Sequence, residues 1–256
     1  MSQPADKTPP ASKAPLTVGQ FAERFRGDMI PLAGNFSYFC DSSLSFTEED
    51  SRDYLEEPVA ALPPSIVALL PKISILIVPY LSREKAEKPL LVSMTAPPQE
   101  KLSWTAQLRK DQETVLAFTF TGHEVSEYHY RFYQHISHMM WDLVSPSVKS
   151  RFSSLLMEEL NTGTHGEVDE QSWRAKQQLQ RRNGKVKFES KPFVEYLKAS
   201  FCDTMTLYLH GICCDIDVDT GPRQLPSRFL RKRLLLLQEL FPPPADYYVL
   251  PEDIRK

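Results

Sequence analysis

At Gly122 the hydrophobic period of this chain changes. The apolar runs before it are short: "ISILIVPYL" at 73–81, "KPLLVSMTA" at 88–96, "LSWTAQLRK" at 102–110 and "ETVLAFTFTG" at 113–122. They are rich in β-branched and aromatic residues, and turn-like or charged clusters separate them at hairpin distances, which is the pattern of strands. After Gly122 apolar residues recur at helical spacing. Residues 123–144 form one helix stopped at "SPS", and 147–160 a second with Phe152, Leu155, Leu156 and Leu160 on one side. Residues 167–184 form a third, ended by Asn183-Gly184, and "KVKFES" a short strand. Phe193, Val194, Leu197, Phe201, Met205, Tyr208 and Ile212 then share a broad stripe, and "SRFLRKRLLLLQELF" closes the series. Strands first and helices afterwards predict an α+β fold. The expected form is a single domain with a small mixed or antiparallel sheet of three or four strands, mainly antiparallel, followed by four or five helices.

Residues 1–16 are polar and proline-rich, without periodicity, and are expected to be a disordered tail before a domain spanning 17–256. Thr17 caps a short amphipathic helix carrying Phe21 and Phe25, and "LPPSIVALLPK" gives another short helix. Residues 41–57 hold seven acids against Arg52 alone, the composition of a solvated loop or an acidic helix start.

A chain of 256 residues, 41% hydrophobic and 25% charged, can bury a large core. Its net charge of -3 supplies no global field for nucleic acid or anionic lipid. The first residues lack a secretory pattern, and the longest apolar runs are too short to span a bilayer, so the expectation is a soluble cytoplasmic protein with no membrane partner. Cys40, Cys202, Cys213 and Cys214 make no CxxC pair, which fits free thiols in a reducing compartment; the adjacent Cys213 and Cys214 read as small apolar filling.

Four of the six histidines lie in "HEVSEYHYRFYQHISHMMW". On a helical wheel Val125, Phe132, Ile136, Met139, Met140 and Leu143 share one face, with His129 among them as a core histidine bonded to a carbonyl or a tyrosine hydroxyl. Glu124, Glu127, Arg131, His135, His138 and Asp142 occupy the opposite arc. His135 and His138, one turn apart, can both reach one ion, while Glu127, Arg131 and His135 are equally spaced as exposed ion pairs.

The order of "ISILIVPYL", further strands and then "RFYQHISHMMW" resembles the zincin metallopeptidases, in which a sheet precedes a helix bearing two zinc-binding histidines. The family motif HExxH spaces its histidines four apart with a glutamate after the first. Here His135-Ile136-Ser137-His138 departs from both features, and the out-of-frame His123-Glu124 is followed by its next histidine six residues on. The resemblance implies a divergent zinc-dependent hydrolase. Its metal ligands would be His135, His138 and, from the loop "THGEVDEQSW", His165. Glu124, Glu127 and Glu167 would act on bound water or orient a ligand. Asp169 and Glu170 in that loop serve equally as a helix cap.

Two other classes stand beside this one: a non-catalytic interaction or scaffold protein using helix surfaces, and a nucleic-acid-associated protein using Arg181, Arg182, Lys185 and Lys187. "DIDVDTG" fails as a calcium loop, having Thr220 where glycine turns the chain and Pro226 where a bidentate glutamate belongs. "HGE" lacks the PCxxC of a deaminase, and no dinucleotide, phosphate-loop or nucleophile-elbow motif is present.

Overall fold

The computed structural model describes residues 15–110, 112–120, 122, 124–181, 190–214 and 223–250. In chain order, β1 (Leu16–Thr17) leads into α1 (Val18–Arg24), then β2 (Ile30–Pro31) and β3 (Phe36–Cys40). A helical stretch follows in three registers: α2 (Glu48–Ser51), a π-turn (Arg52–Glu56) and α3 (Glu57–Ala60). After α4 (Pro64–Leu69) come β4 (Lys72–Val78), β5 (Tyr80–Ser82), β6 (Leu91–Ser93), β7 (Leu102–Ser103), β8 (Thr105–Lys110) and β9 (Glu113–Thr119). The remaining elements are α5 (Val125–Leu143), α6 (Pro146–Asn161), α7 (Glu170–Gln180), α8 (Lys191–Cys213) and α9 (Ser227–Leu240).

The architecture is α+β, with five helices following the last strand among the described residues. Its strands form two sheets rather than one. The larger has the order β2-β3-β4-β9-β8; β3, β4 and β9 run parallel, and β2 and β8 are antiparallel edges. Ile75 sits opposite Tyr38 on one side and Leu116 on the other. The smaller, of order β1-β6-β5-β7, is antiparallel. The expected mainly antiparallel sheet is thus replaced at its centre by a parallel one, because "FSYFC" at β3 supplies a strand that its mixed polarity concealed. "ISILIVPYL" is likewise two strands, since β4 ends at Val78 in the large sheet and β5 begins at Tyr80 in the small one. Pro79, lacking an N–H for the ladder, marks the change of sheet.

Both faces of β4 are covered, which accounts for its nearly unbroken apolar run. Ile73, Ile75 and Ile77, with Leu116 and Phe118, face the main core against the helices. Leu76 and Val78, with Val115 and Ala117, face a second core roofed by Val18, Phe21 and Ala22 of α1 and by Leu81 and Val92 of the small sheet. α1 is closed by a reciprocal cap in which the Gln20 N–H donates to Thr17 Oγ1 at 3.2 Å and the Thr17 N–H to Gln20 Oε1 at 3.0 Å. Leu16, read as the last tail residue, opens β1 opposite Val92. The acidic stretch becomes α2, with Glu48, Glu49 and Asp50 in its first turn, where they favour the positive end of the helix dipole.

α5 and α8 form the spine of the helical half. α5 buries His129, Phe132, Ile136, Met139 and Met140 as expected, with Tyr128 and Tyr133 beside them, whereas Val125 is only partly buried and Leu143 is 40% exposed at the helix end. No helix among the described residues is long and apolar enough to cross a membrane. The Asn183-Gly184 cap, the short strand after it, the "DIDVDTG" run, His123 and the basic residues Arg182, Lys185 and Lys187 lie outside the described residues.

Candidate metal centre

The site begins with a proline. In the π-turn the Glu57 N–H reaches back five residues to the Arg52 carbonyl, so the next carbonyl, that of Asp53, would in the same register be served by residue 58. Residue 58 is proline and has no N–H. The Asp53 carbonyl instead lies 2.6 Å from Nε2 of His129, a buried residue of α5. A carbonyl only accepts, so Nε2 carries the hydrogen and Nδ1 is turned the other way.

Nδ1 faces two sulfurs. Cys214 Sγ is 3.1 Å from it and Cys213 Sγ 3.7 Å. Consecutive side chains on a continuing helix diverge by about 100°. Here α8 ends at Cys213, and Cys214 turns extended at φ -131° and ψ 145°, its N–H held by the His210 carbonyl at 2.8 Å. That change of backbone lets both thiols address one imidazole. The three ligand atoms lie within 4.8 Å of one another. A tetrahedral zinc ion with bonds of about 2.0 Å to nitrogen and 2.3 Å to sulfur needs N···S separations of roughly 3.5 Å, and the two observed values bracket this.

The electrostatics favour an imidazolium–thiolate pair without metal, from which a bound ion would displace the Nδ1 proton. Burial works against an imidazolium at His129, but the Cys213 thiolate, the Asp53 carbonyl and Glu57 outweigh it and raise its pKa. Cys213 is held below the ordinary thiol range, first by its hydrogen bond with Cys214 and, against the opposing effect of burial, by His129 and Tyr133. The one hydrogen of the Tyr133 hydroxyl is divided between this thiolate and the Pro58 carbonyl, 3.0 Å away. By contrast, burial pushes the thiols of Cys40 and Cys202 up to about 12.

The residues singled out from the sequence are placed elsewhere. His135 turns toward the large sheet, with Nδ1 3.3 Å from Gln107 Oε1 on β8 and its ring edge-on to Phe118. Burial, followed by the charges of His138 and Arg131, lowers its pKa to about 4. His138 is lowered too, by burial and then by Lys198. His165 is exposed in its loop. His135, His138 and His165 do not form a convergent group of ligand atoms among the described residues, because α5 directs the first at a strand while the third faces solvent. Glu124 is the exposed N-cap residue of α5, and Glu127 lies exposed in its first turn.

Glu167 is committed to structure. Its carboxylate receives Arg233 Nη1 at 2.8 Å, Arg233 Nη2 at 3.1 Å and the Tyr196 hydroxyl, with Lys176 Nζ at 3.2 Å. Arg233 also holds Glu159 through Nε at 3.0 Å and Nη2 at 2.5 Å. All four charged side chains are buried, two cations balancing two carboxylates, which is the condition for tolerating them in a core. Asp169 caps α7 and accepts the Tyr130 hydroxyl, so the capping role foreseen for it is realised.

The sequence concealed Cys213 and Cys214 as candidate ligands because 84 and 85 residues separate them from His129. A signal was present all the same: a histidine in an apolar stripe needs a partner for each nitrogen, and a paired cysteine ends another apolar stripe. Compared with known proteins, the chain matches no family model, no curated protein and no solved structure.

Proposed function

We propose that this protein binds a thiophilic transition-metal ion of the zinc class through His129 Nδ1, Cys213 Sγ and Cys214 Sγ. The observation that carries this reading is the divided commitment of His129: one nitrogen is fixed by the Asp53 carbonyl, and the other is aimed at two sulfurs. Metal-bound histidines characteristically donate their second N–H to a carbonyl or carboxylate, which fixes the tautomer and strengthens the ligand. Two thiolates and an imidazole select soft or borderline ions over calcium or magnesium. The site needs reduced thiols, in keeping with a cytoplasmic location.

This reading keeps the metal expected from the sequence and moves it from His135 and His138 to the interior. It does not use the zincin arrangement, and the glutamates assigned to hydrolysis contribute nothing to it. The test is metal analysis of tag-free protein with competition by a chromophoric chelator. Wild type should hold zinc stoichiometrically, the Cys213→Ser/Cys214→Ser double variant should not, and His135→Ala/His138→Ala should match wild type. Equal uptake by wild type and the double cysteine variant would overturn the assignment.

A further inference from the structure

We propose that His210 supplies a fourth ligand, so that the centre is a closed Cys2His2 site rather than one with an open position for substrate. The inference rests on the metal reading of His129, Cys213 and Cys214 and fixes what kind of site they make. His210 precedes Cys213 by three residues on α8, a spacing that stacks side chains on one face of a helix, and Cys214 follows at the helix end. Its Nε2 is buried and has no hydrogen-bond partner among the described residues. His210 also meets the backbone of Ser126 in the first turn of α5. With its Nδ1 hydrogen given to the Ser126 carbonyl, Nε2 would present a lone pair, the arrangement of His129 with the nitrogens exchanged.

The two imidazoles flank the same phenol. The Tyr133 ring lies 6.2 Å from that of His210 and 6.5 Å from that of His129. A buried nitrogen with a free lone pair is costly to leave unpaired, and a thiophilic ion would satisfy it where a water would need several further polar partners. Nε2 stands outside the group formed by His129, Cys213 and Cys214, so the proposal requires the His210 ring to move toward them when the ion binds. Closed four-coordinate zinc sites are structural, whereas catalytic ones keep a position for water. The ion then clasps the end of α8 to the first half of α5 and, through Asp53, to the π-turn.

X-ray absorption of the zinc-loaded full-length protein reads the ligands directly and needs no variant. Two sulfurs and two nitrogens are expected, with two histidine rings in the outer-shell scattering. Replacing His210 by Gln or Ala should exchange one imidazole for an oxygen ligand and weaken zinc binding by about tenfold or more, while leaving the two sulfurs in place. A wild-type spectrum with a single imidazole, together with unchanged affinity in His210→Gln, sinks the fourth ligand but leaves the other three standing. Failure of wild type to bind zinc, or binding that survives Cys213→Ser/Cys214→Ser, sinks both.

Discussion

Pro58 lies five residues after Asp53 in the π-turn, and the carbonyl left without a helical donor by its missing N–H is the one that receives the His129 Nε2 hydrogen. A break in one helix is in this way the orienting device for a side chain on another. Restoring a donor with Pro58→Ala lets the helix compete for that carbonyl. We expect zinc affinity to fall about tenfold with the secondary structure retained, measured by chelator competition beside circular dichroism; unchanged affinity contradicts the orienting role.

Cys213 should be the reactive thiol of the metal-free protein. Its pKa is lowered while those of Cys40 and Cys202 are pushed up to about 12 by burial, so at pH 6 to 7 it alone of the three carries an appreciable thiolate fraction. Peptide-resolved alkylation should label Cys213 well before the other two, and zinc should protect it. Faster labelling of Cys40 would refute the arrangement.

His135 makes the fold acid-sensitive. Its folded pKa of about 4 is below the unfolded value of about 6.5, so the unfolded chain binds the proton first. The corresponding stability is complete above the unfolded value and is lost as pH falls from there toward 4, a contribution of about 3 kcal/mol. Asp203 acts in the opposite sense: burial raises it to about 6 against the Ser172 hydrogen bond, so its protonation favours the fold as pH drops through that value. Urea titrations between pH 4 and 7 should show a shallower acid loss for His135→Gln than for wild type and a steeper one for Asp203→Asn.

Arg233→Met strands two carboxylates in the core. Removing one side of a buried ion pair costs about 3–5 kcal/mol, and here one guanidinium serves both Glu159 and Glu167. Chemical denaturation should register a loss of that size. A loss below about 1 kcal/mol is the value of an exposed pair and would show that the network does not hold the helices.

Gly166 has φ +76°, and a Cβ there would stand 2.1 Å from the Gln224 carbonyl oxygen. Backbone faces it, with no flexible side chain to yield. Gly166→Ala should therefore destabilise by about 2–4 kcal/mol, visible as a lowered Tm, because the same close approach carries the Glu167 N–H to the Arg223 carbonyl at 2.9 Å.

The helical half was legible because its stripes are long; His129, Phe132, Ile136 and Met139 repeat often enough to fix a buried face. The parallel centre was not, since β3 offers only "FSYFC" and its pairing with β4 is made across a crossover of thirty-odd residues that no local pattern encodes. The site followed the same rule. Exposure of a polar arc suggested His135 and His138, yet convergence depends on where separate elements meet, and α5 meets the end of α8 through its other face. Glu167 misled for a related reason: an acid among polar residues reads as free for catalysis until a distant arginine is shown to cover it.

Arg233 belongs to the last helix described, while the two carboxylates it neutralises stand 74 and 66 residues earlier. During synthesis those acids emerge well ahead of their counter-charge, so the helical half cannot seal over them until α9 is out. The final helix is thus a keystone: prised loose, it admits water to the very middle of the molecule.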